Sequence, residues 1–473
     1  MVHRREGPAN KHDRSSILAD EETIIAQCSP QGKGAIALLK LSGSNVRTIV
    51  ASIAELPFGK FIAKIPTGTV SYGWIVDDEK QRVDQVMFII MDGPKTFTGQ
   101  NTIEITCHNN QFLIEKIISQ AIKHGARLAQ QGEFARRAVL NGKIDLIQAE
   151  AINDLIHANT QLALKKSLAQ VEGSFSAWLH LIEKDLIKAL AWSEASFEFL
   201  DEEEEFGSQI KEHIQNLNRK ISDLKKTFDS QQQIRQGIRI ALIGSVNAGK
   251  SSLFNSLLDQ NRSIVTEIPG TTRDSVESGL YKNGNYWTLI DTAGIRQTND
   301  IIEKEGIKRS LEQALLADIL LLVFDGSRTL STEEETFYHR LLTDHASKVI
   351  LVKNKDDLTS LHNTLLENNY FIPFSSITKN NLERIEAEIE QKIVQLFSAI
   401  ESPFLLNKRQ FTTILTLENK LIAIIEMLSH KFINYEIISL NLRDAIEQMS
   451  ELTGKSVNEA GLDMVFKEFC VGK

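Results

Sequence analysis

The sequence predicts a multidomain protein: an α+β N-terminal domain, then an α-helical domain split by an inserted α/β P-loop domain. Three observations predict it. From Glu22 to about Arg137, short apolar runs alternate with Gly, Pro and Asn turns. Near the centre, the strand-like IRIALIG (Ile238 to Gly244) runs directly into GSVNAGKSS. On both sides of that unit the apolar residues recur at helical spacing. A length of 473 residues leaves room for two to four domains.

Residues 1–21 are polar and mixed in charge, with no apolar core of a signal peptide, and read as a disordered N-terminal extension. Residues 22–140 hold the strand-like runs TIIAQ, AIALLKLSG, QVMFIIM and NTIEITCH, hence a small α+β domain. From 141 the period changes: Leu146, Ala149, Ile152 and Ile156 lie on one helical face, and the first half of the helical domain extends to 235. Within it the acidic run Asp201 to Phe206 reads as a solvated helix end or loop. The α/β unit occupies 236–397, and helices resume over 398–473, with ILTLENKLIAIIEML the clearest amphipathic stretch. Helix on either side of a self-contained α/β unit implies an insertion, the flanking helices packing on each other.

Composition sets outer limits. A net charge of -9 argues against a protein that coats nucleic acid without selectivity, while leaving room for a local basic patch that holds a folded RNA. Three scattered cysteines (Cys28, Cys107, Cys470) fit neither a disulfide framework nor a zinc cluster, which points to a reducing, cytoplasmic compartment. No run of 18 apolar residues is present, so no membrane span is expected. Cys28 and Cys107 fall in strand-like runs and read as core; Cys470, taken alone, reads as one more small buried residue.

The segment Gly244 to Ser251 matches G-x-x-x-x-G-K-[ST], between an apolar strand and the helix-like SSLFNSLL, as phosphate binding requires. Backbone N–H groups of Asn247, Ala248, Gly249, Lys250, Ser251 and Ser252 can wrap phosphates at a helix N-terminus. Lys250 reaches the β and γ phosphates, and the Ser251 hydroxyl can ligate magnesium. Gly454-Lys455-Ser456 repeats the ending but has Met449 in place of the first glycine, and is a decoy. Downstream follow GTTRD (Gly270 to Asp274), DTAG (Asp291, Thr292, Ala293, Gly294) and NKDD (Asn354, Lys355, Asp356, Asp357), the last two at strand ends. Asp291 is placed to hold magnesium through water, Gly294 to offer its N–H to the γ-phosphate, and Thr272 to close over the metal. The Asp357 carboxylate can accept two hydrogen bonds from guanine, which adenine cannot supply. Ser375, Ser376 and Ile377, after the strand YFIPF, are the expected contacts to the guanine oxygen. The inserted unit is therefore expected to be a G domain that binds GTP.

After DTAG the chain has Ile295, where Ras-type enzymes keep a glutamine to orient the attacking water. Some other group must assist hydrolysis. Asn247 in the P-loop could ligate a monovalent cation with help from GTTRD, or could simply stabilise the loop. Glu303 in IIEKEG reads by itself as a solvated helix charge.

With these motifs assembled, the chain resembles the MnmE (TrmE) family of tRNA-modifying GTPases, from about Glu22 to Lys473. Three stretches outside the G domain carry the resemblance: TFTGQNTIEI, GEFARRAVLNGKIDLIQAEAINDLI and the terminal FCVGK. It implies an N-terminal folate-binding domain, a helical domain split around the G domain, and a homodimer formed through the N-terminal domain. It further implies a flavoprotein partner carrying FAD, MnmG (GidA), with which it would form a heterotetramer. The pair would install a carboxymethylaminomethyl-type group at carbon 5 of the wobble uridine of certain tRNAs. By matched position the resemblance implies potassium ligands at Asn247, Thr266, Ile268 and Thr271, and magnesium ligands at Ser251 and Thr272. Catalytic roles would fall on Asn247, on Glu303 as organiser of a water chain, and on Cys470. A tetrahydrofolate derivative, in its 5-formyl or methylene form, would contact Lys40, Glu104, Lys143 and Lys473. Two departures bear on that site: Lys40 stands where the family usually has arginine, whose bidentate fork lysine cannot reproduce, and His108-Asn109-Asn110 replaces His-Gly-Gly. A ribosome-assembly GTPase or a regulatory switch is the alternative class; the former would carry an appended KH or second G domain, and neither a GXXG loop in such a context nor a second complete P-loop is found.

Overall fold

The computed structural model describes residues 22–196, 203–226, 228, 235, 237–259, 265–266, 276–291, 312–359, 369–398 and 402–472. It divides into two compact units. One comprises residues 1–153, 171–184 and 443–473, the other 154–170 and 185–442.

The first unit is built on a seven-stranded sheet. Its strands are β1 (Ile24–Gln27), β2 (Ile36–Ser42), β3 (Ala54–Glu55), β4 (Thr69–Val76), β5 (Arg82–Met91), β6 (Thr102–His108) and β7 (Arg127–Leu128), in the order β3-β4-β5-β6-β2-β1-β7. Period-two alternation sends Leu39, Leu41, Phe88, Ile90, Ile103 and Ile105 to one face, where they pack with Val46, Ile49 and Val50 of helix Val46–Ile53 and Ile114 and Ile117 of helix Gln111–Lys123. The same alternation sends Lys40 and Glu104, paired across β2 and β6, to the other face. The four expected strand runs are present as β1, β2, β5 and β6, and β3, β4 and β7 are additional.

The HNN segment has a local explanation. Asn110 caps helix Gln111–Lys123 by accepting from the Phe112 and Leu113 amides, Asn109 donates to the Gly32 carbonyl at 2.8 Å, and the His108 ring lies 2.7 Å from Asp84. Each of the three side chains is thus occupied in holding its neighbourhood.

GEFARRA forms helix Glu133–Leu140 around a buried charge cluster. Glu133 pairs with Arg137 at 2.8 Å and with Arg127 at 2.6 Å, which keeps its carboxylate below the ordinary range although burial opposes this. Gly132 adopts a left-handed φ of 63°, and a Cβ there would stand 2.7 Å from the Phe466 carbonyl, so only glycine admits the C-terminal segment. That segment ends beside β1: Val471 bridges Gln131, and the Cys28 thiol lies 3.3 Å from the Gly472 carbonyl. Cys107 is buried as expected, but Cys28 is only half-buried and Cys470 is exposed. The expectation of a buried Cys470 is corrected because its chain runs along the surface as an edge segment rather than through the core. The decoy is resolved too: Gly454 (φ 86°) follows helix Tyr435–Thr453, and Lys455 forks the Glu183 carboxylate at 2.6 and 2.9 Å.

The second unit contains the α/β insertion. Its strands are β8 (Ile238–Ile243), β9 (Val265–Thr266), β10 (Val276–Lys282), β11 (Asn285–Asp291), β12 (Ile319–Asp325), β13 (Val349–Asn354) and β14 (Ile372–Pro373), ordered β14-β13-β12-β8-β11-β10-β9. Five run parallel, and β10 and β9 close the edge antiparallel. The central strands are apolar without alternation because both faces are covered: helices Lys250–Asp259 and Leu382–Ser398 pack on one, helix Thr332–Asp344 on the other. The helices that flank the insertion meet, as expected. Helix Glu203–Lys226 packs along helix Lys408–Met427, with Lys225 paired to Glu418 and the Phe228 and Phe411 rings stacked 3.8 Å apart. Of the acidic run, expected as a solvated helix end or loop, Glu203 to Phe206 form the start of helix Glu203–Lys226, and Asp201 and Glu202 lie outside the described residues.

Candidate functional site

In a parallel sheet, ligands gather at the carboxyl ends of the strands. Here β8 ends at the P-loop, β11 at Asp291, β12 at Asp325, β13 at Asn354, and β14 shortly before Ser375. Motifs separated by more than a hundred residues thereby share one rim.

The P-loop has the backbone of an anion cradle. Asn247 and Gly249 take left-handed φ of 60° and 92°, and Lys250 opens a helix. The Lys250 ammonium curls back to the Gly244 and Ser245 carbonyls, both at 2.8 Å, which holds it where phosphates would arrive. Burial lowers its pKa, with Asp291 opposing. Ser251, Ser252 and Asn247 are exposed along the rim and Ala248 is buried beneath it.

The base-reading loop is bonded to this cradle. Asn354, almost wholly buried, donates from Nδ2 to the Ala248 carbonyl at 2.8 Å, while its Oδ1 has no partner among the described residues. Asp357 accepts from the Ser375 hydroxyl at 2.6 Å, and that hydroxyl in turn accepts from the Ile377 and Thr378 amides, each at 3.3 Å. Ser375 therefore sits behind the carboxylate and aims it; Ser376 is half-buried and Ile377 lies out on the surface. Lys355, with a left-handed φ of 62°, pairs with Asp325 at 2.5 Å.

Three further groups were not read from the sequence. Asp325 is nearly buried; its burial opposes ionisation, but bonds from Lys355 and Ser327 keep it a carboxylate. Tyr338 accepts the Ser245 N–H at 2.8 Å and donates to the Val323 carbonyl at 2.7 Å, which clamps the start of the P-loop; burial pushes its phenol up to about 12. Arg328 forks Glu334 at 2.5 and 2.8 Å and approaches the Ser245 hydroxyl at 3.4 Å. The strand-end rule would have found Asp325; Tyr338 and Arg328 carry no local signal.

In the first unit, Lys40 and Glu104 lie 3.5 Å apart, the Lys40 ammonium is 5.4 Å from the Phe134 ring and 5.9 Å from that of Phe97, and the Lys143 stem lies 3.1 Å from where a Gly99 Cβ would stand. Three of the four expected folate contacts thus border the 97–104 segment. Thr272, Ile268, Thr271, Thr292, Ala293, Gly294, Ile295, Glu303 and Lys473 lie outside the described residues, and of Thr266 only the backbone is described.

A phosphate-loop motif opening a helix, bonded to an Asn-Lys-x-Asp loop at the end of another strand of the same sheet, defines a P-loop GTPase. The model for the GTP-binding protein TrmE N-terminus matches residues 23–143, and that for the MnmE helical domain matches residues 146–470. The chain is 35% identical over 461 residues to the tRNA modification GTPase MnmE of Petrotoga mobilis, covering 96% of this chain and 99% of that one. To the Bacillus subtilis (strain 168) protein of the same name it is 36% identical over 464 residues, covering 96% and 100%. The G domain of the T. maritima FeoB iron transporter aligns with 34% of this chain and 98% of its own at 26% identity, with a TM-score of 0.24. This chain belongs to the MnmE family of tRNA modification GTPases. It is a GTP hydrolase acting in tRNA modification. Among the described residues no helix is long and apolar enough to cross a membrane.

Proposed function

We propose that this GTPase works with an MnmG (GidA) flavoprotein, the holder of FAD, to place a carboxymethylaminomethyl group on carbon 5 of the wobble uridine of certain tRNAs, and that its GTP hydrolysis is potassium-dependent. The observation that carries the reading is the end-to-end likeness to MnmE proteins, which spans 99–100% of their length. The parts would be an N-terminal extension 1–21, a folate-binding dimerisation domain 22–140, helical segments 141–235 and 398–473, and a G domain 236–397. The working form would be a cytoplasmic homodimer that joins its partner as a heterotetramer.

In this reading Asp357, aimed by Ser375, accepts from the guanine base, Ser375, Ser376 and Ile377 would meet the guanine oxygen, and Asn354 Oδ1, without a partner among the described residues, is a further polar atom at that rim. Lys250 and the P-loop amides take the phosphates. Ser251, Thr272 and, through water, Asp291 would hold magnesium, which neutralises phosphate charge; the exposed Ser251 hydroxyl and the carboxylate of Asp291 are hard oxygen donors suited to that ion. Asn247, held left-handed at the exposed rim, with Thr266, Ile268 and Thr271, would hold potassium, which supplies the positive charge an arginine finger gives elsewhere. Glu303 would order the attacking water in place of the glutamine that Ile295 displaces. Gly294 would meet the γ-phosphate. Glu104 and Lys40 would take a tetrahydrofolate, in its 5-formyl or methylene form, with Lys143 and Lys473 at its edge; the Glu104 carboxylate and the Lys40 ring neighbours suit a planar ligand with N–H donors. Cys470, exposed, is available to the modification chemistry.

The test is mass spectrometry of tRNA nucleosides from a strain lacking the gene, complemented with the full chain or with a chain lacking residues 470–473. The full chain should restore the modified uridine, and the shortened one should hydrolyse GTP without restoring it. Unchanged nucleosides in the deletion strain would overturn the reading in favour of an assembly or regulatory switch.

A further inference from the structure

Between Leu56 and Ile65 the first unit carries a connection whose residues the fold does not account for. Leu56 and Ile62 are buried and pin it. Arg47 braces it further, forking Asp92 at 2.7 and 2.8 Å while donating to the Ile62 and Ile65 carbonyls at 3.0 and 2.9 Å. Between these anchors Phe58 is 91% exposed and Phe61 65% exposed. Phe58 has φ 58° and ψ 31°, and Gly59 follows at φ 63°, so the pair forms a left-handed turn of the kind that favours Asn-Gly. A bulky side chain in that conformation is strained, and its exposure returns no burial energy. Lys60 and Lys64 are exposed on the same segment, the Lys64 ammonium 5.9 Å from the Phe61 ring, and no carboxylate lies between residues 56 and 66. The nearest acids in sequence and contact, Glu55 and Asp92, are paired with Arg82 and Arg47.

We propose that this loop is a stacking platform for unpaired bases of the tRNA substrate, Phe58 and Phe61 offering ring faces and Lys60 and Lys64 meeting phosphates. The proposal rests on tRNA being the substrate. Sequence-tolerant stacking on aromatic residues beside lysine is how proteins hold single-stranded nucleic acid, and RNA recognition targets loops whose bases are splayed. Rigid anchoring suits this use, since little ordering is left to occur on binding. The lysines without acids favour a polyanion over a second copy of this acidic chain.

The test measures binding of a fluorescent tRNA to the full-length protein by anisotropy at two potassium chloride concentrations, with GTP hydrolysis in the absence of tRNA as the control for folding. Phe58→Ala with Phe61→Ala should weaken binding about tenfold or more, and Phe58→Tyr should retain it. Lys60→Gln with Lys64→Gln should reduce the slope of log affinity against log salt by roughly 1.4, the value for two phosphates on a single strand. Phe58→Asn separates a structural role from a binding one: it should leave the melting temperature unchanged or higher while tRNA affinity falls. Wild-type affinity in the double phenylalanine variant would overturn the proposal. So would a fall in affinity that tracks conversion of a dimer to monomer in sedimentation, which would give the loop to a second copy, or equal loss of binding to anionic vesicles, which would give it to a membrane. A wild-type protein that binds no tRNA would instead refute the substrate reading beneath it.

Discussion

Gly249→Ala tests the bond between the base-reading loop and the phosphate cradle. A Cβ at that position would stand 1.8 Å from Asn354 Nδ2. To restore ordinary contact the carboxamide must retreat by about 1.6 Å, which stretches its 2.8 Å bond to the Ala248 carbonyl past any useful length. Asn354 would then be buried with neither end bonded within the described residues, a loss of about 1–3 kcal/mol. The left-handed φ of 92° adds about 1–2 kcal/mol for a residue with a side chain. The strain lowers stability in free and bound protein alike, whereas nucleotide binding also requires Asn354 and the P-loop to regain their native spacing, so affinity for GDP should fall roughly 5- to 150-fold, read by titrating a fluorescent GDP analogue. Gly125→Ala is the control, since its φ of 105° carries the same kind of strain but nothing lies within 4 Å of the added atom. It should lower stability slightly and leave nucleotide affinity alone. If Gly249→Ala bound GDP within about threefold of wild type, the Asn354–Ala248 bond would not be what sets the geometry of the site.

Four other outcomes are expected. Asp357→Asn should weaken GTP and strengthen xanthosine triphosphate in competition binding, because an amide presents a donor to guanine's amine; the wild type should prefer GTP to ATP by roughly 10⁴-fold. GTP turnover should be faster in potassium than in sodium at equal ionic strength and lose that difference in Asn247→Ala; equal wild-type rates would refute the cation mechanism. In native alkylation at pH 8, Cys470 should react first and Cys28 more slowly, whereas Cys107, buried and with its thiol pushed up to about 11, should react only on unfolding. Glu334, held down to about 2 chiefly by Arg328, contributes stability that is present above its ordinary pKa of 4.5 and is lost as pH falls towards 2. Arg328→Gln should therefore move the acid limb of melting temperature against pH upward, and an unmoved limb would show that the ion pair is not formed.

The parts of the site legible in the sequence are those where chemistry and backbone lie in one short segment. Gly244 to Ser251 declares itself because a left-handed glycine, a lysine and a hydroxyl must follow one another at a strand end. Asp357 is legible by the same logic, but the reason it is aimed is not, since the Ser375 hydroxyl that bonds it stands on a separate segment 18 residues on. Tyr338 lies 93 residues from the Ser245 amide it receives, and nothing in STEEETFYHR distinguishes a clamp from a core aromatic. Arg47 is likewise a lone helix arginine until the 62–65 carbonyls are seen to converge on it. Cys470 misled for another reason: residue type favours burial for cysteine, but the path of the terminal segment overrides it. The local roles of the HNN side chains, a cap, a loop tether and an acid partner, were equally hidden, because their partners Gly32 and Asp84 are distant in sequence.

The meeting of β1 with residues 470–472 has a consequence for how the protein is made. Strands β1 to β6 and their two covering helices supply a core drawn from residues 25 to 126 alone, so that part of the chain can fold while the rest is still being translated. The pocket against Gly132 and Cys28 cannot be filled then, because its occupant, the segment around residues 466–472, is translated only after the whole intervening chain. At about 5–20 residues per second, the interval between the two events is on the order of a quarter of a minute to a little over a minute. During that time Gly132 and Cys28 lack their covering segment, and a nascent or prematurely terminated chain carries an N-terminal sheet whose tail site is open. Only a chain translated past Gly472 closes it.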